Sequence, residues 1–262
     1  MKEPDVVYTN LLSIVRWLPE APEDASWLGE ILKRLSAAFV GPSQFTTIRE
    51  RAVAGLVASR DTNVLFILRQ GIRNANPIIR KLACIGMGAI GDSEALADLR
   101  PMLVDDNHEV QLAAGMALGA IGTEAALEIM VQGLLEGDEP LRQVVGEALA
   151  GIPNEGHSIL RDAVVHEDMM VRRAGVYGLA RIPATWALIG LYRAMLEDKE
   201  WYVRSAAEYT FAIARDPRRE GPRVLPTAEQ LGWLSKWVTE LGLAMPEGEK
   251  AQQMVIRALQ EA

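Results

Sequence analysis

Three histidines and one cysteine are the residues of this chain best equipped for catalysis or metal binding. Two of the histidines precede a glutamate, His108-Glu109 and His166-Glu167. Imidazole beside carboxylate suits a divalent transition metal. Cys84 would act as a nucleophile only if a base reached it and its thiolate were stabilised. His157 stands near the start of a predicted helix, and Asp105-Asp106 is a paired acid. The string GlyMetGlyAlaIleGly from Gly86 has the glycine spacing of a dinucleotide loop. None of these residues acts unless the surrounding elements place it.

Composition narrows the choices. The 262 residues are 49% hydrophobic, which is too apolar for a disordered chain, and carry a formal charge of −8. Such a charge repels phosphate backbones, so nucleic acid is not an expected partner. A single cysteine excludes an intramolecular disulfide or a multi-thiolate zinc site. No apolar run approaches the roughly 18 residues of a spanning helix. The start, Met1-Lys2-Glu3-Pro4-Asp5, is no secretory leader. Cytoplasmic location and no membrane partner are the expectations.

The elements come from internal repetition. Six segments align on Arg49, Arg80, Gln111, Arg142, Arg172 and Arg204, spaced 31, 31, 31, 30 and 32 residues. Seven residues after each anchor stands Leu56, Met87, Leu118, Leu149, Leu179 or Phe211. Three after it stands Ala52, Ala83, Ala114, Val145, Gly175 or Ala207. Those offsets share one helical face, the predicted core stripe. Asn76, Asn107, Asp138 and Asp168 are N-caps at a common position, and Pro77 follows in the first turn. Gly91, Gly122, Pro153 and Pro183 stop the helices in one register. Shorter apolar patterns from Val64, Ala95, Ala126 and Ala187 predict a second helix per unit. One such pair cannot bury its own apolar faces, so the pairs must stack.

The pattern L-x-x-x-L-x-D-x-x-x-x-V-R-x-x-A-A-x-A-L-G-x-I-G resembles HEAT repeats, especially the short bacterial type also found in phycobilin lyases. Leu99 to Gly122 carries it most closely, and it extends over roughly Phe45 to Asp216. The resemblance implies an all-α, right-handed solenoid of about six HEAT-type helix pairs. It implies little about function, because one repeat serves many purposes.

The chain organisation expected is 1–43 capping helices, 44–216 repeat array, 217–226 linker and 227–262 capping helices, all one continuous solenoid. Residues 4–18 and 24–40 are the predicted N-terminal helices, with Asp24 as a cap. Thr227 and Gln230 form a capping box for a helix to about Leu243, and a last helix runs from about Glu247 to Gln260. Trp17, Trp27, Trp233 and Trp237 seal the ends in this reading, and AlaLeuGlnGluAla looks like unfinished helix, as in a longer array.

With the elements in place, most of the chemistry recedes. The HEAT family that hydroxylates deoxyhypusine holds iron with His-Glu pairs after the anchor, inside the anchor-bearing helix. Here both pairs precede the anchors, in turns, and the matching positions hold Glu50-Arg51, Lys81-Leu82, Leu112-Ala113, Gln143-Val144, Arg173-Ala174 and Ser205-Ala206. No metal, no cofactor and no catalytic residue are therefore expected. Cys84 falls at a packing position, the glycine string ends a helix instead of opening one, and Asp105-Asp106 lies in a turn. HEAT-like DNA glycosylases use a basic groove; here the basic residues are mostly anchors, expected to bind turn carboxylates and carbonyls. The cluster Arg215, Arg218, Arg219 and Arg223 reads as a solvated connector.

The resemblance implies that the anchor-bearing helices line a concave face, onto which offsets one, five and nine from the anchor project. Ile85, Leu112 and Met116 form an apolar zone there, and Arg173, Tyr177, Arg181 and Tyr209 a tyrosine–arginine zone, with Glu147 in the same row. Exposed apolar patches and Tyr/Arg clusters are interface chemistry. The expected function is a non-catalytic scaffold or adaptor that binds another protein's helix or peptide on this face. The alternative implied by the lyase likeness is a lyase- or chaperone-like protein acting on a tetrapyrrole-bearing partner, with Tyr177, Tyr209 and Arg181 in its groove. A third is one section of a larger signalling or assembly protein. Oligomeric state is not legible.

Overall fold

A computed structural model describes residues 9–22, 25–42 and 45–214. The connector, the last two helices and Asp24 lie outside these residues, as does the start of the first predicted helix. Helix is the regular structure throughout the described residues. The contacts divide the chain into two units, Met1–Gly133 and Leu134–Ala262.

The first unit opens with α1 (Thr9–Ile14), which passes at Val15–Glu20 into a 3₁₀ turn holding Trp17 and Pro19. Next come α2 (Leu28–Val40), α3 (Thr46–Ala58), α4 (Val64–Gly71) and α5 (Pro77–Ile90). A broken segment over Ser93–Val104 follows, with only Leu96–Leu99 (α6) fully α-helical. Pro101 accounts for the break: it has no N–H for the carbonyl four residues back, and its ring crowds that turn. Then come α7 (His108–Ile121) and α8 (Glu124–Glu136), within which the unit boundary falls. The longer helices α3, α5 and α7 pack side by side in that order, with α2 against α3 and α4 against α5. Ala52 and Leu56, Ala83 and Met87, and Ala114 and Leu118 are fully buried between them. Each large side chain so buried contributes about 1.5–3 kcal/mol of transfer free energy.

The second unit repeats the plan with α9 (Glu139–Leu149), α10 (Glu155–Ala163), α11 (Met169–Leu179), α12 (Thr185–Glu197) and α13 (Trp201–Ala214). Here α11 packs between α9 and α13, and α10 and α12 lie against the same helices. Val145, Leu149, Leu179, Ala207 and Phe211 are buried at the core offsets.

Helix ends follow local chemistry. Asn76 accepts from Ile78 N–H, Asn107 from Glu109 and Val110 N–H, Asp138 from Leu141 N–H, and Asp168 from Met170 N–H. Gly91 and Gly122 end α5 and α7 at φ 73° and 63°, a left-handed conformation that glycine adopts without steric cost. α9 and α11 stop at Leu149 and Leu179, short of Pro153 and Pro183. A proline disfavours helical geometry at the residue before it.

Candidate interaction surface

The anchors do not face outward. Each ties its helix to the turn before it, and the arginines Arg80, Arg142 and Arg172 also reach a carboxylate about 26 residues on. Arg80 donates to Asp105 through Nε (2.8 Å) and Nη2 (2.7 Å), to Asp106, and to the carbonyls of Asn74 and Ala75. Arg142 donates to Asp168 Oδ2 (2.7 Å) and to the carbonyls of Leu135 and Gly137. Arg172 donates to both oxygens of Asp198 and to the carbonyls of His166 and Glu167. Arg204 donates to the Asp198 and Lys199 carbonyls, Arg49 to those of Phe39 and Gly41, and Gln111 to that of Asp105. A planar guanidinium satisfies several acceptors at once, which suits arginine to this junction.

The carboxyls feel it. Arg142 beside Asp168 holds its carboxyl below the usual range, helped by the Met170 N–H. Burial pushes Asp105 and Asp198 upward, but Arg80 with the Asn107 N–H, and Arg172 with the Glu200 N–H, bring both below the usual value.

Cys84, His157 and His166 each sit in a packed or hydrogen-bonded position. Burial pushes the Cys84 thiol up to about 12. His157 places Nε2 3.0 Å from the Ala150 carbonyl oxygen and its ring 5.5 Å from that of Trp186. His166 Nδ1 accepts the Asp168 N–H. Among the described residues no three His, Cys, Asp or Glu side chains gather as a metal site would need.

In the first unit Ile85 on α5 and Met116 on α7 are 45% and 57% exposed. Ala54, Ala89 and Ala120 are exposed on the same face, and Leu112 is half-buried. The two helices meet closely: a Cβ on Gly88 would stand 2.7 Å from Ala117 Cα. Gly88 lies one turn beyond Ile85, and Ala117 is next to Met116, so the two exposed side chains stand on helices that meet at this crossing. Lys81 pairs with Glu109 at 2.8 Å beside it.

In the second unit the tyrosine–arginine residues form a pinned platform. The Arg173 guanidinium lies over the rings of Tyr202 (4.2 Å) and Tyr177 (5.0 Å). It donates to Glu139 and to the Tyr177 hydroxyl, and Tyr202 donates to Glu139 at 2.8 Å. Arg173 is therefore not the free cation its place in the pattern suggests. Tyr209 is exposed on α13, with Trp201 two turns earlier on the same face. Glu147 departs from the expectation: it is 8% exposed instead of projecting outward. Arg181, itself exposed, pairs with it, and Gln143 donates to it at 2.9 Å. Sequence reasoning missed Glu139 and Tyr202. Glu139 leaves a sequence trace in a repeated spacing, since Glu139 to Arg173 and Glu147 to Arg181 are both 34 residues apart.

Known proteins add the following. Residues 65–150 match the family model of HEAT repeats. No curated protein matches the chain. Human deoxyhypusine hydroxylase, in complex with glycerol, is similar at 20% identity over 80% of this chain and 97% of that one, with a TM-score of 0.30. The complex of CpcE and CpcF of phycocyanin lyase from Nostoc sp. PCC7120 is similar at 15% identity over 81% and 91%, with a TM-score of 0.40. An engineered protein matches at 19% identity over 79% and 97%, with a TM-score of 0.30. None of these likenesses bears on activity, substrate or partner. Among the described residues no helix is long and apolar enough to cross a membrane. The all-α repeat array and the family match agree: this chain contains HEAT repeats, matched over residues 65–150.

Proposed function

We infer that the protein is a non-catalytic scaffold of the cytoplasm that binds an amphipathic helix or peptide of another protein. The observation carrying this reading is the exposure of Ile85 and Met116 at the same repeat position on adjacent helices. Stability does not ask for them there. The core at the neighbouring offsets is already complete, and exposed side chains of this size on matching positions are what interfaces use. An alanine row beside them keeps the surface low enough for a helix to lie on it. The tyrosines and arginines of the second unit supply a second, polar contact surface in this reading. Tyr209 and Arg181 are its accessible members, and the Arg173 platform is its rigid part.

The test compares wild type with the double substitution Ile85→Asp/Met116→Asp in capture from the source cell's lysate. Binding of the recovered partner's own synthetic peptides follows, by fluorescence anisotropy. Wild type should bind one such peptide, and the variant should lose at least tenfold in affinity with its melting temperature nearly unchanged. Equal binding by both proteins would remove this face from the function. A large fall in melting temperature would show that the two side chains belong to the core.

A further inference from the structure

Among the described residues, four turns are built alike. In each, a side chain accepts a hydrogen bond from the backbone N–H two residues later. Asn74 accepts from Asn76 N–H (2.9 Å), Asp105 from Asn107 (2.9 Å), and Asp198 from Glu200 (2.9 Å). The repeat anchor then binds the backbone carbonyl of that same first residue: Arg80 binds Asn74, Gln111 binds Asp105, and Arg204 binds Asp198. The fourth turn keeps both bonds, since Arg172 donates to the His166 carbonyl and Asp168 N–H donates at 3.1 Å. Its side-chain acceptor, however, is an imidazole nitrogen, His166 Nδ1.

That exchange changes what the turn responds to. An amide oxygen does not titrate, and an aspartate in this position is held below the usual carboxylate range. Histidine is the side chain that changes charge between pH 5 and 8. Nδ1 accepts only in the neutral tautomer protonated on Nε2; in the cation both nitrogens carry hydrogen, and the acceptor is gone.

The donor of this bond is a junction. Asp168 caps α11 through the Met170 N–H (2.7 Å) and holds α9 through Arg142 (2.7 Å). The charged groups nearest the imidazole on its own turn and on α11 are Asp168, which it faces electrostatically, and Arg172, which binds the His166 carbonyl; Glu167 is its chain neighbour. From the neighbouring elements, Arg142 of α9 binds Asp168, and Asp198 of the turn before α13 binds Arg172. An imidazolium here loses the Asp168 N–H and competes with Arg142 for the Asp168 carboxylate.

We propose that His166 is a proton-sensitive clasp: neutral, it closes the turn that starts α11, and protonated, it releases the Asp168 N–H and loosens the first turn of that helix. Arg173 and Tyr177 project from the next two turns of α11, so the loosening reaches the polar contact surface. That last consequence rests on the scaffold reading; the clasp itself does not.

The experiment is a pH series of amide spectra and hydrogen exchange on the full chain from pH 8 to 5, with the His166 ring followed alongside. The Asp168 amide should shift in step with the ring. Its protection, corrected for intrinsic exchange, should fall with the neutral fraction of the ring, about threefold over one pH unit centred on the ring's midpoint. Asn76 and Asn107 amides should stay flat. In His166→Asn, which restores the acceptor of the first turn, Asp168 should stay protected and flat across the range. The proposal is overturned if the ring does not titrate in this window. It also falls if the ring titrates while the Asp168 amide does not move, or if His166→Asn shows the same response. Loss of peptide binding by the Ile85→Asp/Met116→Asp protein has no bearing on this outcome, so the two readings fail separately.

Discussion

Arg172 grips Asp198 with a two-pronged bond, Nε to Oδ2 at 2.7 Å and Nη2 to Oδ1 at 3.0 Å, across 26 residues of chain. Both side chains are less than a tenth exposed. Two further guanidinium bonds run to the His166 and Glu167 carbonyls. One side chain thus joins α11 to the turns on either side of it.

Removing that side chain leaves a buried carboxylate without its counter-charge. Arg172→Ala should cost about 3–5 kcal/mol of folding free energy, read from the denaturant midpoint. Arg172→Lys should recover only part of the loss, because an ammonium cannot match both carboxylate oxygens and two carbonyls in one plane. A cost below about 1 kcal/mol for the alanine variant would mean that the junction is not a stabilising element.

Acid should weaken the fold through the same junctions. The carboxyls of Asp105, Asp168 and Asp198 lie below their usual range in the folded chain. Near the unfolded aspartate value of about 4 the unfolded chain therefore binds more protons. Their stabilisation is complete above that value and is lost as pH falls through the lower folded values. The denaturant midpoint should stay level from pH 7 to about 5 on their account and drop below about 4. Asp198→Asn should make that drop shallower, and an unchanged slope would remove Asp198 from the effect.

Glycine is required at the α5–α7 crossing. A Cβ on Gly88 would stand 2.7 Å from Ala117 Cα and 2.9 Å from its Cβ, with backbone as the obstacle. Gly88→Val should destabilise by about 1–3 kcal/mol through forced separation of the helices. Gly29, in α2, meets nothing within 4 Å, so Gly29→Ala should be neutral or stabilising by about 0.5–1 kcal/mol. Thermal melts of the two variants check the contrast.

Cys84 should be silent while the chain is folded. It is fully buried, and burial holds its thiol near 12, so almost no thiolate exists at pH 8. A thiol reagent should react only as fast as the protein opens and at once in guanidinium. Prompt modification of the native protein would contradict the burial.

The repeat spacing, the core stripe and the helix caps were written in the chain itself. They are local or periodic properties: an offset of three or seven lands on the same helical face wherever the helix sits, and an Asn or Asp before a helix caps its own N–H groups. That reading led to Met87 and Leu118 inside and Ile85 and Met116 outside. It also led to anchors that bind the carboxylates of the turns.

The tertiary structure decided how equivalent positions differ. Ile85, Met116, Glu147 and Tyr177 share one offset, yet Glu147 is buried, with Arg181 from the turn after the neighbouring α11 closing over it. Arg173 loses its freedom because packing of α9 and α13 against α11 brings Glu139 and Tyr202 to it. Nor could spacing show that His166 accepts a backbone N–H where three other turns use Asn or Asp. Such outcomes depend on distances between helices, which a one-dimensional pattern does not contain; the face a residue occupies follows from its own helix, but its charge partners follow from how helices dock.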